Sequence, residues 1–262
     1  MKFSIIIATF NAQKTLSKTL DSTLSQTFED YEVIIDDNKS TDGTVELVKK
    51  YETKFRGKLK FLSEVDEGLY DAMNKGIDMS KGDWLYFLGS DDFFYNDEVL
   101  SSISDIVGSD KFDVVYGNVQ LGKTKNTFDG KFSKYKLMLR NMCHQSIFYN
   151  RSVFDRLGKF DTNYKTAADY VFNMMWFNDK SMRFKYINTV IAVYDVNGFS
   201  SINRDTKFWT EKTAIMRRYF SPGFLILWHI RNTIRRIIMV VSYLLRGDVA
   251  GLRKKFKSKY HA

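Results

Sequence analysis

The 262-residue chain is 44% hydrophobic and 16% aromatic, with 40 lysines and arginines against 31 acidic residues. That size and apolar content fit a folded domain with a sizeable core and exclude a disordered or low-complexity chain. The formal net charge is +9, but nine basic residues and one acidic residue lie after position 221. The preceding part is therefore nearly neutral, without the spread positive face of a nucleic-acid binder.

Phe3 to Thr9 (FSIIIAT) is a near-continuous β-branched run, as expected for a strand buried on both faces. Leu16, Leu20 and Leu24 recur at helical spacing, and Tyr31 to Ile35 reads as a second strand. Ser40, Thr41 and Asp42 offer helix caps ahead of Val45, Leu47 and Val48. Leu59 to Leu62 is a short third strand, Leu69, Met73 and Ile77 the stripe of a helix, and Trp84 to Leu88 a fourth strand. Val99, Ile103, Ile106 and Val107 predict a helix, followed by a strand over Asp113 to Tyr116 and a hairpin or loop over 117–130. Beyond these come strand-like Ser146 to Tyr149, helix-like Ala167 to Phe177 and strand-like Val190 to Tyr194. Strand and helix in alternation predict an α/β protein with a sheet flanked by helices. The only proline, Pro222, stands beside Gly223 where the composition changes, which divides the chain into residues 1–221 and a tail, 222–262. The single cysteine, Cys143, forms no internal disulfide and reads as core packing.

Ligands of open parallel sheets bind beyond the carboxyl ends of the strands. Four polar clusters fall there: Thr9-Phe10-Asn11, Asp36-Asp37-Asn38, Glu64 to Gly68, and Gly89-Ser90-Asp91-Asp92. Taken singly, each acid has a bland reading as a turn former or helix cap. Together they predict a pocket of high negative potential, which favours a bound cation. Hard oxygen ligands such as Asp92 suit Mg2+ or Mn2+ bridging phosphates. No G-x-G-x-x-G follows the first strand, which speaks against a dinucleotide-binding oxidoreductase. A nucleotidyltransferase acting on sugar phosphates is a competing reading, but ATFNAQKT lacks the expected glycine- and lysine-rich phosphate loop. A non-catalytic scaffold that binds a nucleotide sugar is another, opposed by the intact acids.

SIIIATFN, VIIDDNKSTDGT, DEGLYDAMNKGI and FLGSDD together resemble, in order and spacing, the family-2 glycosyltransferases of the GT-A fold. The resemblance covers roughly residues 1 to 200 and is strongest to bacterial enzymes that build surface polysaccharides. It implies a Rossmann-like, mostly parallel sheet, with 1–116 as a nucleotide-binding half and 117–221 as an acceptor-side half, and a nucleotide-diphosphate sugar as donor, UDP being the commonest nucleotide. It further implies that Thr9 and Asp37 hold the nucleoside, that Asp66 borders it, that Asp91 lies near the ribose and that Asp92 ligates the metal. Lys39 departs from the family pattern, which has a small residue there. In GLYDAMNKGI, Asp71, Asn74 and Lys75 share a helix side away from the apolar stripe, and the helix N-terminus suits an anion, which makes Asp71 and Asn74 candidates.

Transfer with inversion needs a carboxylate opposite the leaving diphosphate to take the proton of the acceptor hydroxyl. Asp169 in TAADYVFNMMW opens a helix, where the helix dipole alone would also favour an acid. The resemblance places the family's base in this context, with Ala168 replacing an acid common in relatives. It also puts His144 and Gln145 of MCHQSIFY on the cleft floor.

In the tail, FLILWHIRNTIRRIIMVVSYLL is interrupted by Arg231, Arg235 and Arg236, so neither apolar part spans a bilayer alone. Ile226, Ile230, Ile234, Ile237, Val241 and Leu244 follow three- and four-residue steps, with Arg231, Arg235 and Arg246 off that stripe. This predicts a helix over 224–245 lying in a membrane interface, and RKKFKSK after it adds an electrostatic clamp, so that residues 224–259 meet an anionic membrane surface. An amphipathic helix packed on the domain or on a second subunit, as in a homodimer, is the alternative. No secretory signal is visible. The expectation is a cytoplasmic enzyme, peripheral on the inner face of the cell membrane, acting on a glycan or lipid-linked acceptor and not on nucleic acid.

Overall fold

Side chains along β1 (Phe3–Thr9), β2 (Tyr31–Asp37) and β4 (Trp84–Phe87) alternate between two apolar layers. Phe3, Ile5, Ile7, Val33, Ile35 and Tyr86 belong to a layer with α1 (Leu16–Leu24), α2 (Thr44–Glu52) and α4 (Val99–Val107). Ile6, Ile34, Leu85 and Phe87 belong to the opposite layer. There they meet α3 (Leu69–Met79), α5 (Lys134–Leu139), α6 (Ser152–Leu157), α7 (Ala168–Asn178) and α8 (Thr206–Tyr219). The structure is a computed structural model that describes residues 2–108, 111–122, 124, 126–195 and 204–248.

The sheet runs in the order β3 (Leu59–Ser63), β2, β1, β4, β8 (Ile147–Asn150), β6 (Val114–Leu121), β9 (Phe184–Tyr194), β5 (Phe93–Phe94), with β7 (Thr127–Phe128) paired to β6. β1 to β4 are mutually parallel, and β6 and β9 share their direction across the antiparallel β8. The sheet is thus mostly parallel, with β5, β7 and β8 reversed. The 117–130 stretch is a hairpin whose first arm continues β6 through Leu121. Gly43 takes the N-cap position of α2, and of the three cap candidates before it only Asp42 reaches the helix, its Oδ1 accepting from the Thr44 N–H at 3.1 Å. Ser40 and Thr41 bond instead to Asp37 and Asn11. The helices α5, α6 and α8 were not anticipated, because each is short or lies in a polar stretch without a long apolar period.

α9 (Pro222–Leu245) is one continuous helix of 24 residues, about 36 Å long. Pro222 occupies its first turn, where the missing N–H costs nothing. Phe224, Leu225 and Trp228 pack on the core, and the helix touches α5 and α8. Further along, Ile230, Ile234, Ile237, Ile238, Val241, Leu244 and Leu245 are exposed, as are Ile226 and Leu227. At 100° per residue these nine fall within an arc of about 120°, outside which lie Arg231, Arg235, Arg236 and Arg246. Among the described residues no helix is long and apolar enough to cross a membrane. The basic run 253–259 lies outside the described residues.

Gly76 lets α3 settle on β1. A Cβ there would stand 2.3 Å from Cγ2 of the buried Ile6. Gly76→Ala is expected to lose about 1–3 kcal/mol of stability through overpacking, read as a lower denaturation midpoint with unchanged slope. An unchanged midpoint would show that the helix can shift freely.

Candidate active site

The carboxyl end of β2 sends its two acids to opposite faces of the sheet. Asp37 is fully buried and saturated. Its Oδ1 accepts from Thr9 Oγ1 at 3.0 Å and Ser40 Oγ at 2.5 Å, and its Oδ2 from the Ser40 N–H at 3.0 Å and Ser63 Oγ at 2.8 Å. The carboxylate thus ties together the ends of β1, β2 and β3. Lys39, between Asp37 and Ser40, sits at φ +49°, where residues with a side chain are disfavoured. That explains the small residue of the family pattern at this point. Asp36 lies on the face of α3, fully buried, and neither of its oxygens has a hydrogen-bond partner. Burial, reinforced by Asp66, Glu64 and Asp71 against Lys75, pushes its pKa up to about 7.

A cavity of about 280 Å³ opens over the ends of β1 and β4. Thr9, Asn38, Asp66, Asp91, Asp92 and His144 are among its lining residues, with the exposed Phe10 at its edge. Asp66 is fixed by its neighbours: its N–H donates to Asn38 Oδ1 at 3.1 Å, and its Oδ1 accepts from the Gly68 N–H at 2.7 Å. Gly68 itself has φ +125° and starts α3. Asp92 is 1% exposed; its Oδ2 accepts from Gln145 Nε2 at 2.6 Å and its Oδ1 from the Asp195 N–H at 2.8 Å. Burial first, then the adjacent Asp91, push its pKa up to about 7, and Asp91 is raised as well. Gly89 makes room for both, since a Cβ there would meet Asp92 Oδ2 at 2.3 Å and Asp91 Oδ1 at 2.9 Å. Among the described residues no group of three or more His, Cys, Asp or Glu forms a metal cage. The donor set nonetheless fits a hard cation that takes one or two carboxylates and completes its shell from phosphate oxygens and water. The buried, unpartnered Oε1 of Gln145 is a further oxygen beside it.

A second cavity, of about 540 Å³, contains Asp169, the first-turn acid of α7. Asp169 is 5% exposed. Its Oδ1 accepts from Tyr70 Oη at 2.7 Å and its Oδ2 from Asn141 Nδ2 at 2.8 Å, while His144 Nδ1 stands 3.5 Å from Oδ2. Asn173 Nδ2 donates in turn to Asn141 Oδ1 at 2.9 Å, which fixes the amide. His144, Gln145 and Tyr194 line both cavities. One 3-10 turn, His144–Ser146, therefore holds Asp92 through Gln145 and flanks Asp169 through His144.

Thr9, Asp66, Asp91, Asp92 and His144 converge on the first cavity, Asp169 meets it across the shared turn, and Asp37 stands behind Thr9. Asp71 and Asn74 are placed elsewhere. Asp71 Oδ2 accepts from the Glu67 N–H at 3.0 Å and pairs with Lys75 at 3.4 Å. The Asn74 amide exchanges two hydrogen bonds with the Phe160 backbone, at 2.9 and 3.0 Å. That side of α3 packs on the loop before α7, which helical spacing alone does not reveal. Tyr70 and Asn141 escaped sequence reasoning. Tyr70 sits beside the apolar stripe of α3, and Asn141 precedes MCHQ without any period of its own. Burial pushes the Cys143 thiol well up, consistent with packing and not with a nucleophile.

The chain matches the model of the family described as "Glycosyl transferase family 2" over residues 4–184. It is a family-2 glycosyltransferase. This glycosyltransferase is 36% identical to a "PGL/p-HBAD biosynthesis glycosyltransferase" of Mycobacterium bovis, over 79% of its own length and 82% of the relative's. It is 30% identical to the "Poly(ribitol-phosphate) beta-N-acetylglucosaminyltransferase TarP" of Staphylococcus aureus, over 99% of its own length and 84% of the relative's. Among solved structures it superposes on S. aureus TarS 1-349 in complex with UDP-GlcNAc with a TM-score of 0.71 at 21% identity. The mannosyltransferase PcManGT of Pyrobaculum calidifontis, in complex with GDP-Man and Mn2+, superposes with a TM-score of 0.60 at 16% identity. The glycosyltransferase covers 82% and 81% of itself in these two matches and spans 65% and 61% of those chains, and at such identities the likeness establishes the GT-A fold alone.

Asp36 yields a pH-dependent prediction. Its folded pKa is raised, so the neutral carboxyl is favoured in the fold, and the stability it gives below the unfolded value is lost as pH rises through about 7. Asp36→Asn is expected to be close to wild type at about pH 4, to gain on it as pH rises, and to be more stable at pH 8, by on the order of 1–4 kcal/mol in chemical denaturation. An equal difference at both pH values would refute the burial assignment.

Proposed function

We propose that this glycosyltransferase moves a sugar, with inversion, from a nucleotide-diphosphate sugar in the first cavity to a hydroxyl held in the second. The observation that carries the reading is the shared turn: His144 and Gln145 join Asp92, on the donor side, to Asp169, on the acceptor side. Thr9 and Asp66 border the nucleoside, with Asp37 fixing the strand ends behind Thr9 for the base. Asp91 lies at the ribose. Asp92 and Asp91 would hold Mg2+ or Mn2+, which when bound offsets the charge of the leaving diphosphate.

Asp169 acts as the general base. Its two oxygens are oriented by Tyr70 and Asn141, so one lone pair can be presented to the acceptor hydroxyl without rotation of the carboxylate. His144, beside Oδ2, supports the same orientation and stands where the two substrates meet. Asp169 then carries the proton away as the glycosidic bond forms. UDP is the favoured donor nucleotide, in line with the TarS complex with UDP-GlcNAc. The relatives named for PGL/p-HBAD biosynthesis and for poly(ribitol-phosphate) support a role in bacterial surface polysaccharide or glycolipid synthesis. The acceptor is then a glycan or lipid-linked intermediate. The exposed apolar stripe of α9, flanked by arginines, supports attachment to the inner face of the cell membrane.

Three measurements test the reading. In a panel of nucleotide sugars with and without Mn2+, one donor is expected to raise the melting temperature only when metal is present; stabilisation without metal would exclude the shared cation. Asp169→Asn is expected to lower transfer by about 10²–10⁴-fold while donor affinity stays; full activity would remove Asp169 from the mechanism. Ile237→Glu with Val241→Glu, both at exposed positions of α9, is expected to abolish flotation with anionic liposomes at an unchanged melting temperature. Continued flotation would end the membrane reading.

A further inference from the structure

Lys212 on α8 is the only lysine or arginine that is buried among the described residues, at 7% exposure. It lines the cavity of Asp169. Its ammonium lies 4.3 Å from the ring centre of Trp209, 5.4 Å from that of Tyr170 and 5.5 Å from that of Phe208. It makes no hydrogen bond or ion pair with any described residue, and burial pulls its pKa down to about 8 with no carboxylate opposing. The two acids of the cavity are committed elsewhere. Asp205 accepts from the Phe208 and Thr166 N–H groups, and Asp169 from Tyr70 and Asn141. A second cation, Arg204, stands at the exposed rim, 5.1 Å over Trp209 and without an ion pair among the described residues.

A buried ammonium without a counter-charge is costly. Aromatic faces offset part of that cost. An anion entering the cavity would offset more, and would be held by charge-assisted hydrogen bonds. We propose that Lys212, with Arg204 at the rim, binds an anionic oxygen group, phosphoryl or carboxylate, carried by the acceptor. The acceptor is thereby an anionic glycan or glycan phosphate whose reacting hydroxyl reaches Asp169 while its charge rests on Lys212. A cavity of about 540 Å³ has room for both parts. This inference rests on reading the second cavity as the acceptor side.

The test reads binding and stability in the full chain, so its failure is distinguishable from failure of glycosyl transfer. Sodium phosphate, glycerol 3-phosphate and glucuronate are titrated against chloride at equal ionic strength, by calorimetry, into wild type, Lys212→Met, Lys212→Arg and Arg204→Ala. At least one anion is expected to bind wild type, and its affinity to fall about tenfold or more in Lys212→Met, a loss of about 1.4 kcal/mol or more. Lys212→Arg is expected to retain most of the affinity and Arg204→Ala to lose part of it. Preference for the two phosphates assigns a phosphoryl group; preference for glucuronate assigns a carboxylate. Lys212→Met is also expected to melt no lower than wild type. Its folded pKa is lowered, so the charge penalty it removes is fully present below about pH 8 and fades as pH rises toward the unfolded value. Absence of binding beyond chloride overturns the proposal. So does an unchanged affinity in Lys212→Met or, should that variant fail to fold, in Arg204→Ala. A lower melting temperature with unchanged affinity assigns Lys212 to packing.

Discussion

Two buried carboxylates depend on neighbouring residues of one short turn. Gln145 binds Asp92 and His144 flanks Asp169, so adjacent residues of one turn reach the carboxylates of both cavities. The turn is itself fixed: the Gln145 carbonyl accepts from Tyr86 Oη at 2.9 Å, and Tyr86 stacks on Phe148 within the core. β4 and β8, which meet antiparallel, thus carry the two ends of the same device, Asp92 just after one strand and the turn just before the other. The reversed strand in a mostly parallel sheet is what brings the two halves of the chain to one place.

The crowding of acids around that place has a second consequence. Asp36, Asp91 and Asp92 are all raised, each mainly by burial and in part by a neighbouring carboxylate. Burying charges of one sign disfavours the empty fold, and a bound counter-charge relieves it. The same logic with the sign reversed applies at Lys212, the one buried cation among the described residues.

Much of this was legible in the sequence. The β-branched runs and the polar residues that end them located four strands and the first cavity, because in a parallel sheet the chain must leave each strand at the same edge. At Asp169 the residues alone gave only a first-turn acid, which a helix dipole favours in any case, and the expected role came from the resemblance to the family. Where periodicity misled, the reason is packing that a single helix cannot show. Asp71 and Asn74 share a side of α3, but that side meets the loop around Phe160 and not the cavity. Asp36 and Asp37 look alike in sequence, yet the pleat separates them: one is saturated by hydroxyls, the other bare. Lys212 was illegible, since a lysine in a polar helix ordinarily belongs to a solvated face, and only the rings of Tyr170, Phe208 and Trp209 enclose it.

The missing side chain at Gly89 reaches beyond its own position. With Asp92 Oδ2 only 2.3 Å from where a methyl group would begin, the carboxylates already fill the space that the glycine vacates. Lengthening either acid by one methylene would keep its charge and still displace its oxygens. Aspartate is selected here by reach, so glutamate is not a neutral exchange, and redesign of this corner must alter strand, turn and acid together.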